Sequence, residues 1–262
     1  MIPAIAAAHV VLTGVGAATA AHARSGPPAG SSGQPAAGEL RGGFDLPLAG
    51  AGYRFFGPVA QRASHHATVE LAALVVRAAR VLQAEVPGPP LVLGDFSREH
   101  GGPIPRHASH QSGRDVDVLF LARDASGAAV EADRFVRYGG DGRCLSEGCA
   151  WVFDTERNWW LVRTLLASRS PAVQWIFVSA PLARRLIAWA EAEGEHPALL
   201  ARARRVLRQP GGGAPHDDHF HVRIYCAHAM HPAVADNRGC VDTGPRWPWV
   251  DERGEAAPIA PR

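Results

Sequence analysis

At 262 residues and 47% hydrophobic, the chain can bury at least one sizeable core. A formal net charge of +2 excludes the broad cationic surface that nucleic-acid backbones require, so no nucleic-acid partner is expected. The densest basic run, RARRVLR at 202–208, follows acidic EAEGE at 191–195 and reads as the solvated face of a helix.

Residues 1–23, MIPAIAAAHVVLTGVGAATAAHA, are small and apolar and end in Ala21-His22-Ala23, an A-x-A-like cleavage site. They read as a secretory signal peptide, although no Lys or Arg precedes the apolar run. The alternative is an uncleaved anchor, but the run is short for a span and is broken by His9, Gly14 and Gly16; no stable membrane insertion is expected. Residues 24–43 are rich in Gly, Pro and Ser and read as a disordered linker.

A single domain is expected over 44–243. Within 65–86, Leu71, Leu74, Val75, Ala78, Val81 and Leu82 recur at helical spacing, and Pro87 stops the helix. LVLGDF at 91–96 reads as a buried strand, and DVDVLFLA at 115–122 begins as an alternating one. Asp154 can cap a helix over 155–168, with Trp159, Val162, Leu165 and Leu166 on its apolar face. VQWIFVS at 173–179 is a strand, Pro181 and Pro197 each start a helix, and HFHVRIY at 219–225 is the last clear strand. Trp159, Trp160, Trp175 and Trp189 read as packing residues, and the Pro-rich tail 244–262 docks through WPW. This order predicts an α+β domain with a central, largely antiparallel sheet flanked by helices.

The four cysteines fall into local pairs, Cys144 with Cys149 and Cys226 with Cys240. Export would permit disulfides in that pairing. Sequence does not choose among the three connectivities, and a four-thiolate zinc site is the rival reading.

Two stretches concentrate chemistry: HASHQSGRDVDV at 107–118 and HDDHFHVR at 216–223. On a strand, Asp115 and Asp117 share one face; so do His219, His221 and Arg223, while Phe220 and Val222 face the other way. Side by side, such strands would oppose two polar ladders that are costly to bury without partners. A divalent metal satisfies several groups at once. Imidazole with carboxylate suits zinc, and Gly113 would let His110 turn back toward Asp117, with His221 completing three ligands. The alternative is a polar hydrogen-bond network with no metal.

The stretches GDFSREHGGPIPRHASHQSGRDVDV at 94–118, WIFVSAPLARRL at 175–186 and HDDHFHVRIYC at 216–226 resemble the penicillin-insensitive murein endopeptidases, with a further partial match in DTERNWWLVRTLL at 154–166. The resemblance spans about residues 50–240. It implies a zinc peptidase fold shared with D-alanyl-D-alanine dipeptidases and carboxypeptidases and with hedgehog signalling domains. It further implies one Zn2+ held by His110, Asp117 and His221, with His219 as the catalytic histidine and His216 as a further active-site histidine. His107 matches a position near the metal, either outside its ligands or as an added one. Asp115 would orient a ligand histidine, and Arg223 or His216 would stabilise an oxyanion. Some members carry Asp-x-x-His for a second metal; here the equivalent reads Asp141-Gly142-Arg143-Cys144, so that site is not expected.

The implied activity is hydrolysis of D-alanyl–meso-diaminopimelyl cross-links between peptidoglycan stem peptides, in the periplasm. The insensitivity to penicillin would follow from the lack of a catalytic serine. The alternatives are a D,D- or L,D-carboxypeptidase on the same site, or a non-catalytic wall-binding module of the same fold.

Overall fold

The structure is a computed structural model and describes residues 30–227 and 239–259; the expected signal peptide lies outside the described residues. The first half contains β1 (Gly30–Gln34), β2 (Ala37–Arg41), β3 (Phe44–Asp45), β4 (Ala49–Gly50), β5 (Tyr53–Phe55), α1 (Gly57–Arg62), β6 (His66–Ala67), α2 (Val69–Glu85) and β7 (Leu91–Leu93). The second half contains β8 (Asp115–Leu119), β9 (Ala122–Arg123), β10 (Ala129–Val130), β11 (Val152–Phe153), α3 (Thr155–Ala167), β12 (Val173–Phe177), α4 (Ala180–Ala192), α5 (Pro197–Val206), β13 (Leu207–Arg208) and β14 (His219–Ile224). Among the described residues no helix is long and apolar enough to cross a membrane.

The main sheet runs β13-β12-β14-β8-β7-β5-β4. The expectation of a largely antiparallel sheet needs correction, because the sheet is mixed. Its centre, β12-β14-β8-β7, is antiparallel, but β12 with β13 and β5 with β7 are parallel. The reason lies in the connections. The chain passes from β5 to β7 through α1 and α2, and from β12 to β13 through α4 and α5, and a helical crossover returns the chain in the same direction.

The helices start and stop where local chemistry dictates. The Thr68 hydroxyl accepts the Leu71 amide at the start of α2, and the Asp154 carboxylate accepts the Arg157 amide at the start of α3. Leu71, Leu74, Val75, Ala78 and Leu82 of α2 and Trp159, Val162, Leu165 and Leu166 of α3 are buried in one core with Val116, Val118, Phe220 and Val222 of the central strands. The apolar faces of β8 and β14 therefore pack inward, which turns their polar ladders away from the helices.

Two further expectations change. The described part of 24–43 is not a disordered linker: β1 and β2 form an antiparallel hairpin, and Leu40 is 1% exposed. Its anchor is local and steric. Gly113 sits at φ 76°, and a Cβ there would stand 2.6 Å from Leu40 Cδ1, so the hairpin and the turn before β8 interlock. The basic run at 202–208 is only partly a solvated face. Arg204, Arg205 and Arg208 are exposed, but Arg202 is buried and donates to the carbonyls of Leu166 and Ala257. It thereby pins the tail, in which Trp247 is buried and donates its indole N–H to the Gln174 carbonyl. The cysteines pair as Cys144–Cys149 and Cys226–Cys240, and neither pair is free to form a thiolate metal site.

Candidate metal and active site

β8 and β14 are neighbours, and their register sets residue against residue: His221 opposite Asp117, Arg223 opposite Asp115, His219 opposite Leu119. The two polar ladders face each other as the alternation requires. Asp117 is the hub. Its Oδ1 lies 3.3 Å from His110 Nε2, 3.4 Å from His219 Nε2 and 3.9 Å from His221 Nδ1, and its Oδ2 lies 3.7 Å from His107 Nδ1.

The loop before β8 is shaped to deliver His107 and His110. His110 itself has φ 68°, a left-handed conformation uncommon for a side chain with a Cβ. The Ser97 hydroxyl holds that turn by donating to the His110 carbonyl and accepting the Gly113 amide, at 2.6 and 2.8 Å. Gly101, at φ 73°, passes so close that a Cβ would stand 2.1 Å from the Gln111 carbonyl oxygen. His216, also left-handed at φ 53°, is fixed by its Nδ1–H to the Ala214 carbonyl, while its own carbonyl accepts the Ser179 amide.

Each imidazole around the hub has an outer acceptor. His110 Nδ1 meets the Phe96 carbonyl at 3.0 Å, His107 Nε2 meets Asp95 at 3.0 Å, His221 Nε2 meets Asp115 at 2.7 Å and His219 Nδ1 meets Asp218 at 2.5 Å. Carbonyl and carboxylate oxygens bring no proton, so the outer nitrogen must be the N–H in each ring. In the neutral tautomer the inner nitrogen then presents a lone pair toward Asp117. Two of the three outer carboxylates are themselves braced. Asp115 takes the Arg223 guanidinium at 2.6 Å, and Asp95 takes Arg62 through two bonds and the Ser64 hydroxyl.

Converging lone pairs and a carboxylate repel unless a proton or a cation lies between them. His110 Nε2 and Asp117 Oδ1 are buried with no hydrogen-bond partner among the described residues. The proton affinities show the same conflict. Burial opposes charge on His110 and His219, yet Asp117 outweighs it; the His110 pKa is raised, and that of His219 is pushed up to about 10. Burial also opposes charge on Asp117, but His219 and His110 hold its pKa well below the usual carboxylate range. His221 goes the other way. Burial and the neighbouring His110 bring it down to about 4, leaving a neutral ring with its lone pair inward.

The residues present fit a metal. His107, His110 and Asp117 each offer a ligand atom within 4.8 Å of the others. His221 stands beside this triad, its ring centroid 4.6 Å from that of His110. The donor set of imidazole nitrogens and one carboxylate suits zinc.

Of the expected site residues, His107, His110, Asp115, Asp117, His219, His221 and Arg223 are brought together, and His216 lies at the rim with its ring 5.0 Å from that of His219. Asp141 is exposed and accepts the Arg143 amide, while Cys144 is tied to Cys149. Sequence reasoning assigned no role to Asp95, Ser97, Asp218 or the Phe96 carbonyl. It also passed over Phe135 and Phe177, whose rings pack edge-on against His219 and His221. Asp95 had one signal, its place at the end of the LVLGDF strand segment; a backbone carbonyl has none.

A search among curated proteins returned no match. A family profile for penicillin-insensitive murein endopeptidases matches residues 31–257, a span that begins in the hairpin, takes in every site residue named above and ends in the docked tail. The chain belongs to the penicillin-insensitive murein endopeptidase family.

Proposed function

We propose that this protein is a zinc-dependent murein endopeptidase that cuts D-alanyl–meso-diaminopimelyl cross-links in the periplasm. The observation that carries this reading is the set of imidazoles braced from outside and converging on one buried carboxylate. His110, Asp117 and His221 would hold the zinc, with His107 near enough to join. When bound, zinc acts as a Lewis acid on a scissile carbonyl and makes water a competent nucleophile near neutral pH.

The chain's own residues supply the rest. His219 points Nε2 into the cluster and anchors Nδ1–H on Asp218. Once a cation on Asp117 cancels the charge that raises the His219 pKa, the ring is free to accept the proton of the attacking water and pass it to the leaving amine. Arg223, fixed by Asp115 and lying over the Phe177 ring, is a permanent cation beside the site and stabilises a developing oxyanion. His216 differs. Burial lowers its pKa and its Nδ1–H is engaged by Ala214, so its Nε2 is an acceptor suited to a substrate N–H. The two disulfides suit an oxidising compartment, which supports export.

The test is digestion of purified cross-linked peptidoglycan with and without a zinc chelator, read by mass spectrometry. Cross-linked dimers should fall to monomers only without chelator. Release of free D-alanine with dimers intact would indicate carboxypeptidase trimming instead. Intact dimers and no free D-alanine with zinc-loaded protein would refute the hydrolytic reading.

A further inference from the structure

A second cluster of metal-binding side chains lies apart from the Asp117 hub. β3 and β6 form a two-residue antiparallel pair in which Asp45 stands opposite His66. His65, just before β6, turns its ring along that of His66, with centroids 4.7 Å apart and planes at 30°. Asp45 Oδ1 lies 3.1 Å from His65 Nε2 and 4.0 Å from His66 Nε2, and the three ligand atoms fall within 4.8 Å of one another. The histidine side chains are 17% and 11% exposed, whereas that of Asp45 is 69% exposed. The cluster is therefore walled on the imidazole side and open to solvent on the carboxylate side.

We propose that Asp45, His65 and His66 form a second divalent-cation site, selective for the borderline transition metals such as zinc, nickel and copper. Two imidazoles and a carboxylate are the donors that such cations prefer over magnesium or calcium. Tetrahedral ligands at roughly 2.0–2.2 Å from zinc stand about 3.4 Å apart, so only the His66 side must close in. Asp45 Oδ1 is within hydrogen-bond range of His65 but not of His66, so a hydrogen bond accounts for one of the two imidazoles at the carboxylate.

The bound cation would brace the first site from behind. His66 exchanges both backbone hydrogen bonds with Ser97, at 3.0 and 2.9 Å, and the Ser97 hydroxyl holds the His110 carbonyl. The second site is also the weaker one. The Nδ1 atoms of His65 and His66 are buried with no hydrogen-bond partner among the described residues, whereas each imidazole of the first site has an outer acceptor. Missing outer partners typically lower metal affinity by about 10–100-fold.

Native mass spectrometry of the full chain titrated with zinc tests this. Wild type should bind two equivalents, the second about 10–100-fold more weakly and lost first to a mild chelator. Asp45→Ala, at a position open to solvent, and His65→Gln, at a part-buried one, should each bind one. Asp117→Asn should lose the tight equivalent and keep the weak one; adding Asp45→Ala to it should abolish the remainder. Saturation of wild type at one equivalent, or unchanged stoichiometry in both Asp45→Ala and His65→Gln, would overturn the second site. The Asp117→Asn arm reads the first site separately, so failure of one reading does not imply failure of the other.

Discussion

The two histidine clusters share a ligand chemistry and differ in what stands behind it. Around Asp117, every imidazole donates outward to an acceptor, and two of those acceptors, Asp115 and Asp95, are themselves held by Arg223 and by Arg62 and Ser64. Around Asp45, only His65 reaches the carboxylate, His66 standing 4.0 Å off, and the Nδ1 atoms of both rings meet nothing among the described residues. The first cluster is built on two strands inside the main seven-stranded sheet and the loop before the first of them, and the second on a separate pair of two-residue strands. The lesson concerns preorganisation. Placing donors near one another takes only local chain geometry, whereas fixing each ring's tautomer and direction takes partners drawn from across the fold.

The largest expected effect comes from removing the hub. Asp117→Asn should abolish zinc at the first site and cut murein hydrolysis by at least about 10³-fold, because the substitution deletes both a ligand and the charge toward which the rings turn. Metal analysis and activity should fall together. His219→Ala should separate them: hydrolysis drops by about 10²–10⁴-fold while the zinc content stays near that of wild type. Loss of zinc in His219→Ala would make that residue a ligand, and full turnover would remove its role in proton transfer.

This hub was readable in the amino-acid sequence because it lies on two strands of clear alternation. Asp115, Asp117, His219, His221 and Arg223 occupy one face at period two, and the observed register pairs His221 with Asp117 and Arg223 with Asp115. The Asp154 cap, the α2 and α3 faces and the two local cysteine pairs were legible for the same reason: each depends on neighbours close in the chain. What stayed hidden was long-range or backbone-borne. Asp95 acquires its role from Arg62 and Ser64, more than 30 positions away, and His110 is oriented by a main-chain carbonyl. The hairpin of β1 and β2 has little hydrophobic alternation, so its composition reads as linker until Leu40 is seen beneath Gly113. β5, β7 and β13 are two or three residues long, too short to carry a period that would announce parallel pairing.

Outer partners are the difference between the clusters, so removing one should make the first behave more like the second. Asp115→Asn keeps an acceptor for His221 but loses the charge that holds Arg223. Zinc affinity should fall by about 10–100-fold. Because Asp115 is 0% and Arg223 9% exposed, breaking this buried pair should also destabilise the fold by about 3–5 kcal/mol, measurable by denaturant titration. A variant with unchanged zinc affinity would show that strand geometry alone orients His221.

Asp95→Asn should have the smallest effect on hydrolysis, less than about 10-fold, because Asp95 braces only His107, which stands beside three other candidate ligands. Its clearer signature is in acid. Burial opposes charge on Asp95, but hydrogen bonds from His107 and Ser64 and the Arg62 guanidinium outweigh it and hold its pKa below the usual carboxylate value. A carboxyl group whose pKa is depressed by folding contributes stability above its unfolded pKa of about 3.9, and that contribution is lost as pH falls through the lower folded value. Thermal unfolding of the zinc-free protein should therefore lose stability with acid below about pH 4. In Asp95→Asn the protein should start less stable at neutral pH and show a shallower loss over the same window. Equal slopes in the two proteins would mean that the charge on Asp95 is no better stabilised in the folded chain than in the unfolded one, and that His107 is held by shape rather than by its carboxylate.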